Sequence, residues 1–203
     1  VVITGLGAIT PIGNNVEDCW KSIKGGKCGI DKITHFDTTN FKVKLAAEVK
    51  GYNPEDYFDK KSAKRLDTFS QFAIIAAKEA WNDSKLNKED ENMERVGVIL
   101  GSGIGGLETM EREMKSIHEK GPDRVSPMFI PMNIVNMAAG NVAIELGTKG
   151  ESISMVTACA SGTHCIGESF RMIKDGYQDI VICGGTEASI TPIGIAGFTN
   201  IKA

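Results

Sequence analysis

Apolar segments with the composition of buried strands alternate along the chain with segments of helical spacing. Residues 95–100, 151–156 and 179–183 are rich in β-branched residues and end at glycines or other small residues, which is typical of buried strands. A further apolar segment at residues 1–7 ends in a glycine turn and predicts another buried strand. Strands that alternate with helices predict an α/β protein with a largely parallel or mixed sheet.

The clearest predicted helix covers residues 68–83, where aromatic residues and alanines recur at spacings of three and four. Four alanines on its apolar face predict that another element approaches closely. Three other segments have helical patterns: residues 15–24, with Asn15 as a cap, a charged helix that ends near 119, and an apolar one at 133–146. The prolines at 127 and 131 predict that residues 126–131 are extended.

The stretch from Glu151 to Gly167 has the pattern of a strand, a sharp turn and a helix, with Cys159 at the turn. Unpaired backbone N–H groups and the positive end of the helix dipole stabilise a thiolate at such a position. A thiolate is a nucleophile, so Cys159 is a candidate for covalent catalysis. The alternative is a buried structural cysteine, which is the commoner use of this residue.

No base for Cys159 can be identified from the sequence. Five helical steps place His164 roughly 140° around the helix from Cys159, so His164 is predicted to be a structural histidine. His35 and His118 fall in a loop and in an exposed helix. The turn can still contribute backbone donors to an oxyanion hole, and the small residues beside Cys159 leave room for a carbonyl group.

Composition excludes several classes of function. The net charge of −3 and the lack of basic runs with interleaved aromatics argue against nucleic acid, and no apolar stretch is long enough for a membrane span. The five cysteines contain no CxxC pair and the three histidines are scattered. This predicts reduced thiols in the cytoplasm and no metal site. Basic residues at 60–65 are either a solvated face or a docking site for an acidic partner.

Several motifs in chain order resemble one family. They are VVITGLGAITPIGN at the start, GSGIGG at 101–106, SPMFIPMNIVNMAAG at 126–140, VTACASGTHCIG at 156–167 and ICGGTEASITPIGIAGF at 182–198. Together they resemble the elongating β-ketoacyl-acyl carrier protein synthases, and within that family the type II enzymes of bacterial fatty acid synthesis. The resemblance covers essentially all 203 residues. It implies a thiolase-like αβαβα layered sandwich, of which residues 1–203 form the N-terminal half.

The resemblance also implies an activity, namely acyl transfer to a cysteine followed by decarboxylative condensation. Cys159 would accept an acyl group from acyl carrier protein, and the carbanion formed by decarboxylation of malonyl carrier protein would attack that thioester. Ile104, Ala158 and Phe198 match positions at the acyl pocket, and Phe129 matches a residue that reaches the pocket across a homodimer interface. No cofactor is implied, because the phosphopantetheine arm belongs to the carrier protein.

A set of basic residues resembles the surface on which the family docks its acidic carrier protein: Lys60, Lys61, Lys64, Arg65, Arg124 and Lys202. The family's two catalytic histidines, a supporting lysine and a gating phenylalanine match nothing in this chain. We therefore expect them in a C-terminal half that this sequence does not contain, and expect this half alone to be inactive in condensation. Two alternatives stay open: a non-catalytic partner subunit that binds carrier protein, and a thiolase that acts on coenzyme A esters.

Overall fold

The computed structural model describes residues 1–202, an α/β arrangement of helices and short strands. The helices are α1 (Val16–Lys24), α2 (Lys60–Ala63), α3 (Thr68–Asp83), α4 (Leu107–Lys120), α5 (Phe129–Asn133), α6 (Met137–Leu146), α7 (Ser161–Lys174) and α8 (Pro192–Asn200). The strands are β1 (Asp31–Lys32), β2 (Leu45–Ala46), β3 (Val96–Gly101), β4 (Ser152–Met155) and β5 (Ile180–Gly185). Short 3-10 turns lie at Pro54–Asp56, Met93–Arg95 and Pro122–Arg124.

The main sheet has the strand order β4-β3-β5, and both pairings are parallel. Val98 of β3 lies opposite Ser152 of β4 on one side and opposite Ile182 of β5 on the other. The predicted α/β class with a parallel sheet is confirmed. The carboxyl ends of all three strands lie at one edge, which is where parallel sheets place their binding sites.

The two faces of the central strand are covered by different helices. Val96, Val98 and Leu100 belong to the buried core that includes residues of α3 and α6. Successive side chains of a strand point to opposite faces, and a Cβ placed on Gly101 would lie 2.7 Å from the Cβ of Ser161 in α7. The sheet is therefore enclosed between α3 and α6 on one face and α7 on the other.

The predicted close approach to the alanine face of α3 is confirmed, and its partner is the N-terminal segment. A Cβ on Gly7 would lie 1.8 Å from the carbonyl oxygen of Ala76, and one on Gly5 would lie 2.1 Å from that of Ala80. Only glycine fits at such distances. The bounds of α3 agree with the prediction, and Asp67 caps it by accepting a hydrogen bond from the Phe69 N–H at 3.2 Å.

The predicted strand at residues 1–7 is wrong. Val2 and Ile3 are both 80% exposed, and the segment pairs with no strand among residues 1–202. Its backbone is bound by carboxylates of α3 instead, since the Leu6 N–H donates to Asp83 at 2.9 Å and the Ala8 N–H to Glu79 at 2.8 Å. A cavity of about 350 Å³ separates it from the end of β5. A segment can form the hydrogen bonds of a β-sheet only beside a free strand edge, and the sequence of the segment alone does not show whether such an edge is present.

The prediction of an extended segment at 126–131 is also wrong, because Phe129 to Asn133 form the short helix α5. Pro131 is the third residue of this helix, where its missing N–H has no intrahelical partner to lose. The apolar helix predicted from 133 therefore begins later, at Met137. The helix α1 and its cap are confirmed, with Asn15 accepting from the Asp18 N–H at 2.8 Å. In the described part of the chain, every helix is too short or too polar to cross a bilayer.

Candidate functional site

Cys159 lies in the turn between β4 and α7, as its sequence pattern predicts. The strand ends at Met155, the helix begins at Ser161, and Cys159 is exposed between them. Its neighbour Ala158 has φ 51°, in the left-handed region that costs an L-residue roughly 1–2 kcal/mol. This conformation makes the sharp turn that presents the cysteine.

The side chain of Ser161 holds this turn closed. Its hydroxyl donates to the carbonyl oxygen of Ala158 at 2.6 Å and accepts from the N–H of Thr157 at 2.9 Å. The N–H of Ala160 donates to the carbonyl oxygen of Thr157 at 3.1 Å. By contrast, the N–H of Cys159 itself has no acceptor within residues 1–202. That donor is therefore available to a ligand.

The start of α7 packs against the end of β5 through two glycines. A Cβ on Gly162 would lie 3.2 Å from the Cα of Gly185, and one on Gly185 would lie 2.8 Å from the Cα of Gly162. A side chain at either position would push the helix away from the sheet. This contact fixes Cys159 at the carboxyl edge of the sheet.

A cavity of about 510 Å³ opens beside Cys159. It is bounded by the turn at 158–162, by the glycine-rich loop that follows β3 and by residues 185–189 after β5. Ile104, Ala158 and Phe198 line it, so the structure brings together three of the four residues predicted for an acyl pocket. Phe129 begins α5 and is not among the residues that line this cavity.

Glu187 is a feature of the site that sequence reasoning did not single out, although it lies within one of the motifs. Its carboxylate accepts hydrogen bonds from the Ser102 hydroxyl at 3.1 Å, the Gly103 N–H at 2.8 Å and the Ile104 N–H at 3.2 Å. These contacts join the segment after β5 to the glycine-rich loop after β3. The signal available in the sequence was a single acidic residue among the small residues 184–189.

The histidines lie away from this cavity. His164 Nδ1 is 3.4 Å from the Thr157 hydroxyl, and its Nε2 is 3.7 Å from a carboxylate oxygen of Glu168. His35 Nδ1 lies 3.7 Å from Glu48, and His118 is in α4. None of the histidines in the described chain lines the cavity beside Cys159.

The five cysteines have different surroundings, and all of them are free thiols. Cys19 and Cys165 are buried, whereas Cys28, Cys159 and Cys183 are exposed. Burial raises the pKa of the Cys165 thiol, so this neighbour on α7 is a poor nucleophile. Within residues 1–202 there is no cluster of three or more Cys, His, Asp or Glu side chains that could hold a metal ion.

The basic residues predicted to dock a partner lie on separate elements. Lys60 and Lys61 are in α2, Lys64 is its C-cap and Arg65 follows. Arg124 ends the 3-10 turn after α4, and Lys202 follows α8. Lys64, residues of α4 and Ser126 line one cavity of about 460 Å³, and Ser126 is close to Arg124 in the chain.

Comparison with known proteins gives the same result by sequence and by structure. The model of the family "Beta-ketoacyl synthase, N-terminal domain" matches residues 1–203. The chain is 52% identical over 203 residues to 3-oxoacyl-[acyl-carrier-protein] synthase 2 of Staphylococcus aureus (strain N315), and 47% identical to the protein of that name from Synechocystis. Each of the two alignments covers 100% of this chain and 49% of the relative, so the chain spans about half the length of the curated relatives it matches.

Solved structures show the same fold. The ishigamide ketosynthase/chain length factor superposes with a TM-score of 0.91 at 27% identity, over 100% of this chain and 50% of that one. A β-ketoacyl synthase from Burkholderia phymatum STM815 superposes with a TM-score of 0.81 at 26% identity, over 98% of this chain and 49% of that one. The thiolase-like fold is thus confirmed for the half that this chain spans. The chain belongs to the β-ketoacyl synthase family, and it matches the N-terminal domain of that family.

Proposed function

We propose that the protein carrying this chain is a 3-oxoacyl-acyl carrier protein synthase in which Cys159 accepts the acyl group during fatty acid chain elongation. The observation that carries the proposal is the position of Cys159. It is an exposed thiol at a helix N-terminus, and it borders a cavity lined by Ile104, Ala158 and Phe198. The names of the relatives support the reaction, and the geometry supports the assignment of this cysteine.

In the first step the Cys159 sulfur attacks the carbonyl carbon of an acyl thioester on acyl carrier protein. A new C–S bond forms to Cys159, the C–S bond to the phosphopantetheine arm breaks, and that arm leaves as a thiol. The free N–H of Cys159 is suited to donate to the oxyanion of the tetrahedral intermediate. The apolar side chains of the cavity would accommodate the acyl chain, because burying methylene groups is favourable at about 0.8 kcal/mol each.

In the second step malonyl carrier protein loses CO2, and the resulting carbanion attacks the Cys159 thioester. The C–S bond to Cys159 breaks, and the new C–C bond gives the 3-oxoacyl carrier protein. No histidine of the described residues lines the cavity. We therefore assign the basic groups of this step to the half of the protein that this chain does not span, in line with the length of its relatives. In this proposal residues 1–203 are the N-terminal half of one condensing-enzyme domain.

Docking of the carrier protein is assigned to the basic residues on and after α2, together with Arg124 and Lys202. Attraction between a basic surface and an acidic partner speeds association and weakens with salt.

A homodimer is also part of the proposal. In its support, large apolar residues are exposed on α6 and α7, among them Ile144 at 78% and Phe170 at 49%, and exposed apolar surface is typical of protein–protein contacts where it is contiguous.

Acyl transfer to the natural full-length protein tests the proposal. The protein is incubated with acyl carrier protein thioester or with acyl coenzyme A, and the modified peptide is identified by mass spectrometry. We expect acylation of Cys159 from the carrier protein, its loss in Cys159→Ala and its retention in the control Cys28→Ala. Acylation from coenzyme A alone would favour a thiolase, and binding of carrier protein without acylation would favour a non-catalytic partner.

A further inference from the structure

The Glu187 carboxylate is bound to the loop that carries Ile104. One oxygen accepts from the Ser102 hydroxyl at 3.1 Å, and the other accepts from the Gly103 N–H at 2.8 Å and the Ile104 N–H at 3.2 Å. Hydrogen bonds to an ionised carboxylate are stronger than neutral ones. Both oxygens are engaged, so this carboxylate serves as a fixed acceptor for the loop.

Glu187 is a rigid anchor because the residue before it is held on two sides. The Thr186 N–H donates to the carbonyl oxygen of Gly101 at 2.9 Å, which extends the contact between β5 and β3. The Thr186 hydroxyl donates to the carbonyl oxygen of Phe69 at 2.6 Å, and Phe69 is fully buried in α3. The position of the carboxylate is thereby tied to the core.

The loop itself has little else to fix its middle. Glycines occupy 101, 103, 105 and 106, so its backbone has a wide choice of conformations when unrestrained. Its far end is held, because the Gly105 N–H donates to the Ser102 hydroxyl at 3.0 Å and the Gly106 N–H to the Asn133 carbonyl at 3.1 Å. Within residues 1–202, Glu187 is the only acceptor for the backbone N–H groups of Gly103 and Ile104.

Ile104 depends on this backbone for its position. The residue is 40% exposed, so packing alone does not fix its side chain, and it lines the same cavity as Cys159 and Phe198. We propose that Glu187 is a positioning residue, which holds Ile104 at the wall of the cavity and thereby sets which acyl chain lengths the site accepts. The specificity part of this inference rests on the proposed function, whereas the anchoring part does not.

Two substitutions test separately the hydrogen bonds that Glu187 accepts and its negative charge. Glu187→Ala removes the acceptor for the Gly103 and Ile104 N–H groups and for the Ser102 hydroxyl. Glu187→Gln keeps a carbonyl oxygen for the two N–H groups, and its amide can donate to the Ser102 hydroxyl. The matched control is Glu48→Gln, since Glu48 also accepts backbone N–H groups, from Thr34 and His35, but does not line this cavity.

The first measurement is hydrogen exchange in the natural full-length protein. In Glu187→Ala we expect the amides of Gly103 and Ile104 to exchange roughly tenfold faster or more. Glu187→Gln should lie nearer to the wild type, and Glu48→Gln should leave this loop unchanged. Unchanged exchange in Glu187→Ala would overturn the anchor, whatever the reaction of the protein.

The second measurement is kcat/KM for acylation of Cys159 by short and long acyl carrier protein thioesters. We expect Glu187→Ala to change the ratio of the two values by roughly tenfold, the size of effect that pocket contacts with single methylene groups produce, while iodoacetamide alkylates Cys159 at the wild-type rate. Faster exchange with an unchanged ratio would overturn the specificity role. Failure of the wild type to be acylated at all would refute the proposed function and the specificity role with it, and the exchange result would still decide the anchor.

Discussion

Substitution of Ser161 by alanine removes both hydrogen bonds that its hydroxyl makes across the turn before α7. Ser161 is only 3% exposed, and its hydroxyl links the Thr157 N–H to the Ala158 carbonyl. A typical hydrogen bond contributes about 1 kcal/mol net to stability. Thr157 and Ala158 are both exposed, so water can replace the lost partners and the full penalty of a buried unpaired group does not apply. We therefore expect a loss of about 1–2 kcal/mol.

This loss is comparable to the cost of about 1–2 kcal/mol for an L-residue such as Ala158 in the left-handed region. The turn should then relax, and Cys159 should leave its position at the helix N-terminus. We expect iodoacetamide to alkylate Cys159 roughly two- to fivefold more slowly, because the relaxed turn no longer presents the sulfur at the helix N-terminus.

Ser169→Ala is the matched control. Ser169 lies on the same helix, is also 3% exposed and donates one hydrogen bond, to the Cys165 carbonyl at 2.7 Å. It should cost less than about 1 kcal/mol and leave the alkylation rate unchanged. Urea denaturation measures stability, and timed alkylation with peptide mapping measures the rate. If Ser161→Ala and Ser169→Ala behaved alike in both assays, the turn would not depend on Ser161.

Two further predictions concern regions outside the turn. Gly7→Ala should lower the free energy of unfolding by about 1–3 kcal/mol, because its Cβ would lie 1.8 Å from the Ala76 carbonyl oxygen. Gly167→Ala, with open space around it, should raise the free energy of unfolding by about 0.5–1 kcal/mol. Equal changes in the two variants, measured by urea denaturation, would contradict the close contact at Gly7. For Glu48, burial alone would raise the pKa, but hydrogen bonds from residues 34–35 outweigh it and lower the pKa. The stability that ionised Glu48 contributes should therefore be present at neutral pH and lost as the pH falls through about 4.3 and below. The difference in unfolding free energy between the wild type and Glu48→Gln should thus shrink in acid, and a difference that widens in acid would refute the prediction.

The sequence predicted the elements whose signals are local. The helix α3 has a clear period, and β3 and β5 are apolar segments that end in glycines, so their existence and type followed from nearby residues. Cys159 was also predicted in its correct setting, because a strand, a turn of small residues and a helix follow each other directly in the chain.

What the sequence could not predict depends on distant residues. The strand pattern of residues 1–7 contains no information about whether a free edge lies beside it, and in the structure α3 takes that place. Glu187 bonds to Ser102, which lies 85 residues earlier. Local pattern cannot reveal such a pair, and the cavity wall that it supports was predicted only through family resemblance.

The central claim is that Cys159 is the nucleophile, and competition among its own thiols tests it most directly. Cys28 and Cys183 are also exposed, so they are internal controls for access. Brief treatment with substoichiometric iodoacetamide and peptide mapping should find Cys159 modified first, and prior acylation by acyl carrier protein should block that modification. Modification of Cys28 or Cys183 first, with Cys159 inert, would contradict the claim.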